Sequence, residues 1–477
     1  MSMRGGMCWG LVGALVVLLG AGCPAVEPGL DEEVFASREG WPDEVRVRRV
    51  GNAFVSDVMQ LEADAQGRAW VLRRDKDSSL RSHDEGRSFL EVYSQDGRLE
   101  RTLKPLEGAH LVRFVLHPSG ELTLFELRRE SNQAFYDLYL RRLSANGETL
   151  VERRFEDPGR PGENLSYEFD GSRNGDVMNV EVLTTLGPGW SHTRFLGPLK
   201  ALALGEDVVF SVRVYGVKLY RLTPSLELAW DTQVMPHHDN LLLIGAEQLA
   251  LDGEGNLVVA FDMALSEARA YQRHFQRALQ AREDGSIDVA VLRFSAHGAF
   301  IDIQLHGGAA DDLLEAMAIH AGEVVLVARN RLEKFDIPND TLEFDLVLMR
   351  ASLREGALLL YRQLDLARED YPRAVVVDGE GRIYVGGNYD YAQADSNSQV
   401  DYGKGLLVRL DWRTGEPLER LSLSGPRDVQ LWHLALRPDG RMLFAGIYDA
   451  PHSHTADQDA SLSFNRGMLG TITLQAR

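Results

Sequence analysis

The sequence predicts an all-β fold, a β-propeller of about seven four-stranded blades with one short helical insertion. Three observations carry this expectation. A phrase made of an apolar run, a tight Asp/Gly turn and a second apolar run keeps returning, most clearly at Ala374–Gly386, Leu434–Gly446 and Leu249–Ala260. The same order of strand-like runs surrounds each copy, and the two ends of the region supply complementary parts of one unit. Repetition at a period of this size fixes an architecture before any local reading does.

The turns of the phrase centre on Gly67, Gly120, Gly205, Gly255, Gly322, Gly381 and Gly440. In each unit strand A leads into the turn and strand B leaves it. A third run, strand C, often carries an arginine, as in Leu138–Leu143, Val289–Phe294, Leu346–Arg350 and Leu406–Leu410. A glycine-bearing turn follows (Ala145–Gly147, Ala296–Gly298, Arg413–Gly415), and strand D closes the unit, as in Phe300–Leu305. Four antiparallel strands repeated radially make a propeller; a β-sandwich or two smaller β domains is the alternative. The last third-type run, Met468–Leu474, has no fourth run after it, while the first run of the region, Val45–Val50, is of the fourth type. The expectation is that Val45–Val50 completes the last blade, so that the propeller spans residues 43–477 and no sheet edge is left open.

Ahead of this region, residues 1–22 read as an export signal. Arg4 is the basic start, and the apolar run from Trp9 to Leu19 is too short to span a bilayer comfortably. Leu19-Gly20-Ala21-Gly22-Cys23 resembles a bacterial lipobox, in which small residues admit the signal peptidase and the cysteine thiol takes a diacylglycerol. That resemblance implies lipidation of Cys23 and a membrane partner through the acyl chains. Pro24 is not the residue of an inner-membrane retention signal, which favours the outer membrane. An ordinary cleavage site or an uncleaved anchor is the alternative. Residues 23–42, with Glu27, Asp31, Glu32 and Glu33, read as an acidic tether.

Composition narrows the class of partner. The chain of 477 residues has a formal net charge of −20, which argues against nucleic acid. Cys8 and Cys23 are its two cysteines, so a chain cleaved before Cys23 has no internal disulfide. Gln304-Leu-His-Gly-Gly308, Asp311-Asp312, Met317–Ile319 and Val324–Ala328 resemble the seven-bladed-propeller (SBBP) repeats of bacterial secreted proteins. Pro438-Asp-Gly440 with Ala445-Gly446 is similar to the related delta-60 repeat. These resemblances imply a propeller on an exported protein and no particular reaction. Ser82–Phe89 also resembles an Asp box, a structural hairpin of sialidase-like propellers.

The repeat grammar assigns the candidate sites. A–B and C–D connections are short, whereas long B–C insertions (262–288, 330–343, 388–404, 449–466) and D–A insertions (157–200, 235–243) emerge together on the opposite face. Loops on a rigid scaffold are where binding concentrates. The candidate ligand or metal residues there are Asp449, His452, His454, Asp457 and Asp459, whose His-x-His pair suits a divalent metal, and Asp390, Tyr391 and Asp401, whose carboxylates and ring suit a sugar or a cation. A solvated polar loop is the competing reading for both, and for His237-His238-Asp239. Residues 263–285 predict a helix, with Leu265, Ala268, Tyr271, Phe275 and Leu279 on one face and Arg269, Arg273, Arg277 and Arg282 making it basic. It reads as a lid packed by its apolar face, or as a contact for a partner or anionic ligand. With no catalytic motif visible, the expected function is binding of a protein or glycan. A hydrolase or lyase with an Asp/His site on the same face, or an envelope-assembly scaffold, is the alternative.

Overall fold

The computed structural model describes residues 35–39, 45–51, 55–76, 87–128, 137–156, 166–170, 179–185, 191–196, 200–213, 217–235, 247–264, 268–277, 279, 287–332, 343–366, 370–389, 403–424, 429–449 and 465–472. Its strands form seven four-stranded antiparallel blades. Blade 1 is Val55–Ala63, Ala69–Lys76, Arg87–Tyr93 and Leu99–Leu103, and blade 2 is Ala109–Leu116, Leu122–Arg128, Asp137–Leu143 and Thr149–Arg154. Blade 3 is Ala201–Leu204, Asp207–Arg213, Val217–Leu222 and Leu228–Met235, and blade 4 is Gln248–Leu251, Leu257–Ala264, Ile287–Phe294 and Phe300–His306. Blade 5 is Asp311–His320, Glu323–Leu332, Glu343–Ser352 and Leu358–Leu364, and blade 6 is Asp370–Val377, Ile383–Tyr389, Lys404–Leu410 and Pro417–Ser424. Blade 7 is Val429–Leu436, Met442–Asp449 and Asn465–Ile472, closed by Val45–Val50, whose Val45 pairs with Ile472 and Val50 with Gly467.

The repeated phrase is the inner hairpin of each blade. All seven of its central glycines have positive φ, from 61° at Gly205 to 83° at Gly120, which a side chain disfavours. The aspartates serve the same turns. Asp64, Asp252 and Asp378 each accept backbone N–H bonds from residues two and four positions on, the Asx geometry that replaces missing ladder bonds.

Three features depart from the sequence reading. Phe35–Glu39, inside the segment read as tether, form a strand antiparallel to Pro417–Ser424, so blade 6 gains a fifth, outer strand. The long connection between blades 2 and 3 holds a separate three-stranded sheet, Ser166–Asp170, Asn179–Thr185 and Ser191–Leu196, which accounts for the wide spacing there. The helix is shorter than the 263–285 expected. It covers Ala268–Phe275 and stops where Gln276 takes φ 52°, with Arg277 N–H bonded to Gln272 O at 3.2 Å, a left-handed terminus that does not need the distant Gly285. Its apolar face is buried through Ala268 and Tyr271. Phe275 stacks on Phe300 at 4.1 Å, so the helix runs along blade 4 toward the C–D end and does not cap the loop-rich end.

The recurring strand-C arginine staples neighbouring blades. Arg350, 7% exposed, bonds Glu323 of its own blade at 2.9 and 2.6 Å, donates to the Trp412 carbonyl of blade 6 and stacks 3.8 Å over the Trp412 ring. Arg142 and Arg221 do the same, reaching the Glu206 and Ala296 carbonyls of the next blade. Arg350→Met is expected to cost about 2 kcal/mol, because a partly buried carboxylate and a carbonyl lose their donor; a urea midpoint equal to wild type would refute the staple.

Candidate functional site

Five of the seven innermost strands carry a β-bulge at one common level, at Met59, Val112, Glu315, Arg373 and Trp432. A bulge re-aims the residues beyond it. The first residue after each is Gln60, Arg113, Ala316, Ala374 and His433. Polar groups therefore gather at the inner edges of blades 7, 1 and 2, and alanines at blades 5 and 6. Gln60 reads the blade 2 backbone twice, donating to Phe114 O at 2.9 Å and accepting from Phe114 N at 3.1 Å. The His433 ring meets Val58 O through Nε2 at 3.1 Å.

Two residues further on, blade 1 has Glu62. The same register position holds Val115, Ala250, Ala318, Val376 and Ala435 in blades 2, 4, 5, 6 and 7. Trp70 lies directly opposite Glu62 on strand B. This apolar setting explains the behaviour of the carboxyl. Burial pushes Glu62 up to about 7, while the Gln60 amide and the Arg113 charge pull it back down. Burial likewise lowers Arg113 to about 10, against the attraction of Glu62. His433 is held down to about 4, first by burial working against the bond to Val58 O, with repulsion from Arg113 and Lys200 adding to the fall. Arg113 of blade 2 thus acts on both Glu62 of blade 1 and His433 of blade 7, and Lys200 at the entry to blade 3 acts on His433. At neutral pH this wall holds a neutral imidazole, a guanidinium and a carboxyl poised between its two forms. Such a set can bind a polar ligand or move a proton.

A second cluster lies at the junction of blades 5 and 6 on the loop-rich side. Carboxylate oxygens of Asp345, Asp365 and Asp370 lie within 4.8 Å of one another, a spacing able to hold a divalent cation. Their protein contacts also describe a blade clip, with Gln363 Nε2 donating to Asp345 at 2.6 Å and Leu366 N–H to Asp370 at 2.8 Å. The preceding junction is built alike: Gly308 N–H donates to Asp312, and the Tyr361 hydroxyl donates to Asp312 Oδ1 at 3.0 Å. A Cβ at Gly307 would lie 2.2 Å from Asp288 Oδ1, and one at Gly308 would lie 2.2 Å from the Tyr361 hydroxyl. That explains the Gly-Gly and Asp-Asp of the Gln304–Asp312 stretch by packing.

The chain shows similarity to solved structures. No family model matches it, and no curated protein matches it. Among solved structures, the polysaccharide lyase Uly1 aligns at 9% identity and TM-score 0.45, covering 89% of this chain and 91% of that one. Drosophila Plexin A in complex with Semaphorin 1b aligns at 11% and 0.41, covering 92% and 88%. The propeller domain of the Trilobed protease of Pyrococcus furiosus aligns at 7% and 0.39, covering 83% and 90%. At these identities the likeness concerns architecture, which the strand order already establishes.

The residues singled out from sequence lie almost wholly outside the described residues. This holds for Cys23, Asp390, Tyr391, Asp401, His452, His454, Asp457, Asp459 and His237–Asp239; Asp449 is described only as the last residue of its strand. Of the Asp-box segment, Arg87–Phe89 begin strand C of blade 1, where Ser88 Oγ accepts the Leu111 N–H at 2.6 Å, and Ser82–Gly86 lie outside the described residues. Sequence reading missed the channel wall and the aspartate trio. The first is scattered over residues 60 to 433, and bulges break the alternation that would reveal it. The second had a signal, an aspartate five residues before the strand-C arginine in Asp137, Asp288 and Asp345.

Proposed function

We propose that the protein is an exported, lipid-anchored β-propeller, of the SBBP/delta-60 kind, that binds a protein or glycan partner through its loop-rich face at the outer membrane. The observation that supports this most is the asymmetry of the connections. Every A–B and C–D link among the described residues is a short turn, whereas the connections 265–286, 333–342, 390–403 and 450–464 all leave from the other end of the blades. An anchor at Cys23 leaves little chain between the membrane and Phe35, where the first strand begins.

Two experiments test the two halves. Cys23→Ala is expected to move the protein from the membrane to the soluble fraction; unchanged fractionation refutes the anchor. A secreted form beginning at residue 24, which retains Phe35–Glu39, is expected to bind an envelope partner. Replacing 450–464 by a Gly-Ser linker should weaken that binding at least tenfold, while Glu380→Ala on an A–B turn should leave it unchanged. The reverse pattern sinks the binding face.

Glu62 favours a second reading, a hydrolase or lyase working in the channel, because a carboxyl titrating near 7 serves as general acid or base. That reading requires any activity found to vanish in Glu62→Gln and His433→Ala.

A further inference from the structure

On the face of short turns, between blades 7 and 1, lies a cavity of about 210 Å³ toward which four arginines converge, Arg46, Arg48, Arg437 and Arg441, against one lining carboxylate, Asp96. A basic concavity is unexpected on a chain of net charge −20, and the register explains how it arises. In blades 2 to 6 one strand-C position is always arginine, and each has a carboxylate from its own blade: Arg142 with Glu121, Arg221 with Asp207, Arg293 with Asp302, Arg350 with Glu323 and Arg409 with Glu419. In blade 7 the same position, opposite Leu443, is Thr471. The A–B turn departs in the opposite sense. It starts with Asp64, Asp252 and Asp378 in blades 1, 4 and 6 and with His117 in blade 2, but with Arg437 in blade 7. The small threonine opens the space, and an arginine stands where a carboxylate would have closed it.

Arg437 is 4% exposed. It donates from Nη1 to Gln95 O at 3.0 Å, and its Nε is buried with no hydrogen-bond partner. Arg48 donates to Gly97 O at 3.1 Å, and Arg441 Nε lies 3.6 Å from Asp439. A buried guanidinium N–H left unsatisfied is costly, and several guanidiniums facing one space match the oxygens of a tetrahedral anion.

We propose that this cavity binds a tetrahedral oxyanion, a phosphate or sulfate group, either free or carried as an ester on a sugar. The site is independent of the loop-rich face, so its test leaves the partner-binding reading untouched. Titration calorimetry of the whole exported domain would use inorganic phosphate, inorganic sulfate and glucose 6-phosphate, with sodium chloride at matched ionic strength as blank. Saturable binding of phosphate or sulfate is expected, weakened at least tenfold in Arg46→Gln/Arg441→Gln, whose circular dichroism and melting temperature in chloride should match wild type. Tighter binding of glucose 6-phosphate than of phosphate assigns the ester as ligand; equal binding assigns the free anion. No heat beyond the chloride blank, or binding unchanged in the double variant, overturns the proposal.

Discussion

Gly446→Ala is expected to destabilise the protein by about 3 kcal/mol or more, read as a lower urea midpoint at unchanged slope. Gly446 sits on strand B beside the Trp432 bulge, and a Cβ there would lie 1.8 Å from Gln430 O. Backbone cannot yield as a flexible side chain can, so blade 7 must shift its bulge or lose the pairing that closes the ring. Gly387 repeats the arrangement in blade 6, where a Cβ would lie 2.2 Å from Tyr371 O. Gly253→Ala is the control, a turn glycine with open space around it, and should stay within about 0.5 kcal/mol of wild type. A wild-type midpoint for Gly446→Ala would show that strands A and B of blade 7 are not in the register described.

Glu62→Gln is expected to make the protein more stable at pH 8 and to leave it unchanged at pH 4.5. The carboxyl is raised from 4.5 to about 7 in the folded chain. Between those values the folded state holds the proton more tightly than the unfolded state, so wild-type stability falls as pH rises through the window and is level above it. Glutamine keeps an acceptor for Gln60 and carries no charge, which abolishes the fall. The gain at pH 8 should be about 2 kcal/mol, the full shift being discounted for the residue's partial exposure. Parallel melting curves for the two proteins from pH 4.5 to 8 would show that Glu62 is an ordinary solvated carboxylate, and the channel wall would lose its proton-active group.

How much of this was legible in the sequence depends on which physical rule set each feature. The inner hairpins were, because a positive φ calls for glycine and an Asx turn calls for aspartate, as at Asp378 and Gly381. Closure by Val45–Val50 was also legible, since a missing fourth strand and an extra one are both visible in the pattern. The helix end at Gln276 was not, because a left-handed terminus at a non-glycine leaves no mark. The strand at Phe35–Glu39 was hidden in acidic, weakly periodic chain and is defined by its partner, Pro417–Ser424. The channel wall was hidden by the bulges, which shift the alternation by one residue at Met59, Val112 and Trp432. The strand-C arginines were seen but not understood. Their staple role, and the meaning of Thr471 where one is absent, needed the register between strands. The face of short turns, to which the repeat grammar assigned no candidate site, holds the arginine cavity.

Under the proposed function, partners engage the loop-rich end of the propeller. Site-specific photo-crosslinking in intact cells tests it most directly, with a photoreactive residue placed singly at Gln393 and Gln458 in the long connections and at Glu254 and Glu380 on the A–B turns. The expected result is discrete higher-mass adducts from Gln393 or Gln458 and none from Glu254 or Glu380. Adducts from the turn positions alone, or from no position, would contradict it.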